Sequence, residues 1–218
     1  METRHSVWVT CGPASVPIDA VRRITNHATG EIGAVIGAMA RQEGFDVVGF
    51  RGESSTFPAS ADSEWIPFST NASLLTALQA QPKPPAAIFH AAALSDFQVA
   101  EVAGRDAGGK LKSRGGEVTL TLQPTAKILP VLRDLFPRSV LVGWKYEVEG
   151  TREDVVHLGR SQLAECRSEA CVLNGPAYGR GFGLLTPDGV IQSVETKQEL
   201  ALILLRWLAD RLSDFHAD

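Results

Sequence analysis

Residues 7–33 read Val7-Trp8-Val9-Thr10-Cys11-Gly12-Pro13-Ala14-Ser15-Val16-Pro17-Ile18-Asp19-Ala20-Val21-Arg22-Arg23-Ile24-Thr25-Asn26-His27-Ala28-Thr29-Gly30-Glu31-Ile32-Gly33, and the change of pattern inside this stretch decides the fold. The apolar run Val7 to Thr10 reads as a buried strand, broken by the turn signal Cys11-Gly12-Pro13. A polar segment follows to Asn26. From Thr29, a candidate N-cap, Ile32, Val35, Ile36 and Met39 recur at helical spacing, with Gly44 as the stop. Gly30 and Gly33 thus fall in the first turn of a helix facing the carboxyl end of a strand, where backbone N–H groups and the helix dipole hold phosphate. On spacing alone, two such glycines serve close helix-to-sheet packing equally well.

Further along, strands are expected at 46–50, 65–68, 86–90, 118–122, 139–144 and 170–173. Helices are expected at 71–79, at 127–136 with a bend or break at Pro130, and at 151–166 behind a near capping box of Thr151 and Asp154. Residues 53–62 and 100–116 read as loops. A hairpin turning at Thr186-Pro187-Asp188-Gly189 and a final helix over 196–212, opened by Thr196 and Glu199, close the chain. Strands alternating with helices predict a doubly wound, mostly parallel α/β sheet of Rossmann-like type with a C-terminal hairpin and helix. Ligand then binds outside the carboxyl ends of the strands.

With 218 residues and no linker-like stretch, one domain over 1–218 is expected. A formal net charge of −4 without a basic run gives no reason to expect nucleic acid. No apolar stretch is long enough for a membrane span, and Met1 to His5 leads straight into a strand, so a cytoplasmic protein is expected. Cys11, Cys166 and Cys171 lack metal or redox spacing, and the five histidines are scattered. No metal site made of protein ligands is indicated. Cys11 borders the proposed site, but no His–Asp pair is placed by the sequence to activate it.

The pattern Gly-Pro-x-x-x-Pro-Ile-Asp-x-Val-Arg-x-Ile-x-Asn-x-x-Thr-Gly-x-x-Gly over 12–33 resembles the opening signature of phosphopantothenate–cysteine ligases, also called phosphopantothenoylcysteine synthetases. Three later blocks resemble the same family in the same order. Ala91-Ala92-Ala93-Leu94-Ser95-Asp96-Phe97 is similar to its Ala-Ala-Ala-Val-Ala-Asp-Tyr/Phe segment, and Gly109 to Gly116 to its Lys-Ile-Lys flap. Gly143-Trp144-Lys145-Tyr146-Glu147 is similar to its aromatic strand end, with Asn174 matching an asparagine near the nucleotide.

The resemblance implies a stand-alone ligase domain without flavin that joins 4′-phosphopantothenate to cysteine. The acid first attacks the α-phosphate of a nucleoside triphosphate, brought with Mg²⁺, and cysteine then displaces the nucleotide. Asn26 matches the asparagine associated with the intermediate, with an amide that can donate to one oxygen and accept from an amine. Lys110 matches the lysine that helps form the intermediate. Ala92, Ala93 and Asp96 match the phosphopantothenate site, and Gly12, Ala28, Thr29, Gly30, Gly33, Trp144, Lys145 and Asn174 the nucleotide site. A homodimer is implied, the 91–116 region of one subunit completing the site of the other. ATP is favoured over CTP, because Gln123-Pro124-Thr125 stands where CTP users carry Asn-Pro-Asp, and Ser113-Arg114-Gly115-Gly116 is closer to ATP users.

The chain departs from the family at four positions. Ala28 replaces a serine, Glu31 replaces a cation, and Gln162 and Cys166 stand where bacterial members often carry lysines, with Arg160 and Arg167 nearby. A carboxylate at Glu31 opposes an anionic ligand unless it points away. Two other classes therefore stay open: a non-catalytic relative that binds a phosphorylated ligand or nucleotide, and an NAD(P)-dependent reductase. The second needs a Tyr-x-x-x-Lys pair, but Gly150 follows Tyr146 and Phe182 follows Tyr178 at that spacing.

Overall fold

The computed structural model describes residues 4–58, 64–103, 110–111 and 116–214. Twelve strands and five helices follow one another along these residues: β1 (Ser6–Cys11), β2 (Ser15–Pro17), β3 (Arg23–Thr25), α1 (Glu31–Gln42), β4 (Asp46–Gly52), β5 (Trp65–Phe68), α2 (Asn71–Gln79), β6 (Ala87–His90), β7 (Phe97–Ala103), β8 (Thr119–Pro124), α3 (Ile128–Leu135), β9 (Val140–Tyr146), α4 (Arg152–Cys166), β10 (Ala170–Asn174), β11 (Phe182–Leu185), β12 (Ile191–Val194) and α5 (Lys197–Asp214).

Eight strands form the central sheet in the order β12-β11-β10-β9-β6-β1-β4-β5. From β10 to β5 all neighbours are parallel, and β11 and β12 add an antiparallel edge. Chain order reverses between β1 and β6, which makes their carboxyl ends the topological switch point. Alternation along β1 explains the two-sided core. Val7 and Val9 meet α1 and α5 through Ile36, Leu204 and Leu208, while Trp8 meets α2 and α3 through Leu74, Leu78 and Leu132. A third cluster seats α4 through Val155 and Leu163 on Leu173 and Leu185.

Four sequence expectations change. The polar stretch before Asn26 contains the β2–β3 hairpin, and residues expected as loop from Ala100 belong to β7, paired with β8. β2, β3 and β7 are mostly exposed and lack the half-buried alternation that marks a strand in sequence, while their partner β8 agrees with the strand expected at 118–122. Thr29 is not the cap of α1; the cap is Gly30, at φ 85°, and the Thr29 hydroxyl accepts from the Glu31 N–H at 3.3 Å. Pro130 does not break α3, because it is the third residue, where an N–H would have no intrahelical acceptor.

Candidate active site at the switch point

The carboxyl ends of β1 and β6 are sewn together by main-chain bonds. Ala91 N–H donates to the Thr10 carbonyl (3.1 Å), Ala93 N–H to the Gly12 carbonyl (3.0 Å) and Ala14 N–H to the Ala93 carbonyl (3.0 Å). Beneath them, Ala92 N–H donates to the Thr10 hydroxyl at 3.2 Å, and that hydroxyl lies 2.9 Å from Nδ1 of His90. Burial brings the His90 pKa down to about 4, so the ring is neutral and its Nδ1 can accept the Thr10 proton.

The Asn26 side chain joins the two motif blocks. Its Nδ2 donates to the carbonyls of Ala93 (3.2 Å) and Leu94 (3.0 Å). Both amide protons are thereby committed to the main chain, and Oδ1 is the part left to face a ligand. On the other side, Asn71 at the start of α2 holds Ser95 twice, donating to its carbonyl at 2.8 Å and accepting its N–H at 3.1 Å. These clasps fix Ala92 and Ala93 and leave Asp96 exposed just beyond them.

At the N-terminus of α1 the glycines have distinct roles. Gly12 and Gly30 both have positive φ, and a Cβ on Gly12 would lie 1.8 Å from the Ser55 hydroxyl. That hydroxyl is buried without a hydrogen-bond partner among the described residues. A Cβ on Gly33 would lie 2.3 Å from Cβ of Cys11, so Gly33 lets α1 approach β1. Beside them Ala28 is half-buried and Thr29 exposed. Glu31 turns to Lys197 at the start of α5 and forms an ion pair across 166 positions. Its carboxylate is therefore compensated by a cation that the motif does not contain.

An open cleft of about 540 Å³ lies between these two helix ends, lined among others by Glu31, Asn174, Phe182, Thr196 and Lys197. Asn174 Oδ1 and Trp144 Nε1 are buried without a hydrogen-bond partner among the described residues, an acceptor and a donor at the ends of the adjacent strands β10 and β9. Lys145 pairs with Glu147 at 2.9 Å. Lys110 is exposed; of the basic segment from Gly109 to Gly116, only Lys110, Leu111 and Gly116 lie within the described residues.

Gln162 and Cys166 face the sheet. Gln162 Nε2 lies 3.3 Å from the Cys171 sulfur, and Cys166 is buried under α4, so both positions belong to packing here. Cys11 is buried, and desolvation pushes its thiol up to about 12 against the opposing charge of Arg51, which removes it as a nucleophile at neutral pH. Among the described residues, no group of three or more His, Cys, Asp or Glu could hold a metal, and no helix is long and apolar enough to cross a membrane. Sequence reasoning missed Thr10, His90, Ser55, Asn71 and Lys197. Thr10 and His90 carried a local signal, each as the polar end of an apolar strand.

The DNA/pantothenate metabolism flavoprotein C-terminal domain matches residues 3–214. The Coenzyme A biosynthesis bifunctional protein CoaBC of Thermococcus kodakarensis is 31% identical over 210 residues, 95% of this chain and 50% of that protein. The chain spans about half the length of the curated relatives it matches. Among solved structures, the DNA/pantothenate metabolism flavoprotein from Streptococcus pneumoniae shares the fold at a TM-score of 0.82 and 23% identity, over 95% of this chain and 99% of that one. A Cab2 mutant in complex with phosphopantothenate-cysteine does so at 0.74 and 16% identity, over 96% and 89%. With nearly its whole length matched in sequence and fold, the chain belongs to the family of the DNA/pantothenate metabolism flavoprotein C-terminal domain.

Proposed function

We propose that this chain is a nucleotide-dependent ligase of coenzyme A biosynthesis, joining 4′-phosphopantothenate to cysteine through an acyl-nucleotidylate, and that residues 1–218 act as one domain. The carrying observation is the Asn26 clasp on Ala93 and Leu94, which brings the signature block and the small-residue block to one point at the switch of the sheet. Relatives named for coenzyme A biosynthesis and a structural neighbour bound to phosphopantothenate-cysteine support the reading.

A carboxylate is a poor electrophile, so its activation as a mixed anhydride with a nucleotide, releasing pyrophosphate, precedes attack by the amine. In this reading Ala92, Ala93 and Asp96 receive phosphopantothenate. Gly12, Ala28, Thr29 and Gly30 face the phosphates at the start of α1, with Gly33 setting the approach of that helix. Trp144, Lys145 and Asn174 flank the base, Lys110 offsets charge as the anhydride forms, and Asn26 Oδ1 accepts from the incoming cysteine amine. Among the described residues there is no cage of protein carboxylates, so Mg²⁺ would be held by the triphosphate oxygens and would supply charge neutralisation there. No flavin takes part, the setting is cytoplasmic, and the working unit is a homodimer.

Mass detection of phosphopantothenoylcysteine from phosphopantothenate, cysteine, Mg²⁺ and either ATP or CTP tests the proposal. We expect ATP to support pyrophosphate release at least as well as CTP, since Gln123 and Thr125 replace the asparagine and aspartate of the pyrimidine-reading element and the indole of Trp144 suits a purine. Strict dependence on CTP overturns that choice and leaves the ligase reading standing. Ligand binding by calorimetry without product or pyrophosphate would favour a non-catalytic binding protein instead.

A further inference from the structure

The turn between β2 and β3 holds a carboxylate with more partners than the turn requires. The Asp19 side chain has no accessible surface. Its Oδ1 accepts from the N–H groups of Val21 (2.8 Å) and Arg22 (2.7 Å), which closes the turn. Its Oδ2 accepts from Nη1 of Arg22 at 2.5 Å and from the main-chain N–H of Leu111 at 3.0 Å, 92 positions away. Arg22 Nη1 also lies 3.4 Å from the Leu111 carbonyl. Both polar groups of the Leu111 backbone are therefore engaged by this pair.

Leu111 adjoins Lys110, and β3 leads from Arg22 to Asn26 in four residues, about 13 Å of extended chain. A turn alone would be satisfied by an asparagine, because Oδ1 carries both of its bonds. Among the described residues, the second oxygen and the guanidinium reach Leu111 and each other. We propose that Asp19 and Arg22 are positioning residues, a charged latch that anchors the backbone of Lys110 and Leu111 beside the β2–β3 hairpin and so aims the Lys110 amine at the site. The latch stands on geometry; its catalytic purpose rests on the ligase reading.

The bond from the Leu111 N–H first, and then those from Val21 and Arg22 within the turn, hold the Asp19 carboxyl well below the usual carboxylate range, so it is charged at neutral pH. Asp19→Asn is a selective probe. Its carbonyl oxygen can keep the two turn bonds, while its NH₂ presents a donor where Leu111 N–H and Arg22 need an acceptor.

The experiment measures hydrogen exchange at the Leu111 amide together with pyrophosphate release in the intact protein. We expect exchange at Leu111 to rise about tenfold in Asp19→Asn, as for loss of one charge-assisted hydrogen bond, with the Val21 and Arg22 amides unchanged. kcat should fall about tenfold with the nucleotide KM within about twofold, and Asp19→Asn should add nothing to Lys110→Ala, since both act through one amine. If Asp19→Asn does not fold, Arg22→Gln is read the same way. Turnover in the wild type with unchanged Leu111 protection in the variant overturns the latch, and losses that multiply in the double variant overturn its action through Lys110. A wild type without turnover whose Leu111 protection still depends on Asp19 leaves the latch standing and overturns the ligase reading.

Discussion

The side-chain amide of Asn26 lies 3.2 Å from the carbonyl oxygen of Ala93, bonding two loops that are 67 positions apart. Because the same nitrogen also reaches Leu94, truncation removes the side-chain donor from both carbonyls, leaves Ala93 with the Ala14 N–H alone and removes Oδ1. Asn26→Ala should slow amide formation about a hundredfold while nucleotide affinity changes by less than about threefold. Lys110→Ala should slow formation of the intermediate itself. Rapid-quench measurement of the two half-reactions separates these effects, and equal, intact turnover in both variants removes the mechanism.

Glu31 and Lys197 are each about a third exposed, so their ion pair is partly screened and contributes little to stability. Glu31→Gln should change unfolding free energy by less than about 1 kcal/mol. With one negative charge fewer beside the cleft and Lys197 released, ATP should bind roughly threefold more tightly, an advantage that shrinks as salt is added. Calorimetric titration at two ionic strengths checks this; weaker binding in the variant would show that the pair itself shapes the site.

Gly33→Ala places a methyl 2.3 Å from Cβ of Cys11, a contact that the helix can relieve only by moving off β1. Overpacking of this kind costs about 1–3 kcal/mol. Cys11→Gly opens the space and should recover part of the loss in a double-mutant cycle followed by urea unfolding. Additive destabilisation by the two substitutions would contradict the contact.

His90 couples acidity to stability. Its folded pKa of about 4 lies below the ordinary 6.5, so between these values the unfolded chain binds a proton that the folded chain refuses. Stability is then full above 6.5 and falls as pH drops towards 4, by about 3 kcal/mol in order of magnitude. Urea unfolding at pH 7 and 4.5 should show a smaller acid loss in His90→Gln. An unchanged difference between the two pH values would place the acid sensitivity elsewhere.

The β7–β8 ribbon exposes Phe97 to 50% and Leu122 to 46% of their surface. A two-stranded ribbon with apolar side chains in water is marginal alone, and a second copy of the chain would cover it. Sedimentation should report a dimer at micromolar concentration, and Leu122→Glu should shift it towards monomer. A wild type that sediments only as monomer sinks the prediction.

Periodicity and turn chemistry were sufficient for the main sheet and all five helices. The span of α2 and the caps at Thr151 and Thr196 were legible because each depends on residues within four positions. The family blocks were legible for a related reason, since backbone approach to a ligand demands particular small residues at particular spacings. The exposed strands β2, β3 and β7 were not, because strands without a buried face carry little alternation, whereas β8 was expected at 118–122.

Tertiary structure alone decided what the charges and glycines do. Gly30 caps α1 at positive φ close to the Gly12 turn and Ser55, a proximity that local propensity does not encode. Glu31 reads as a misplaced charge until α5 brings Lys197 to it, and Asp19 reads as a turn residue until Leu111 reaches its second oxygen. In each case the partner lies far along the chain, and hydrogen bonds and ion pairs act over a few ångströms of space, so only the closed fold determines which groups meet.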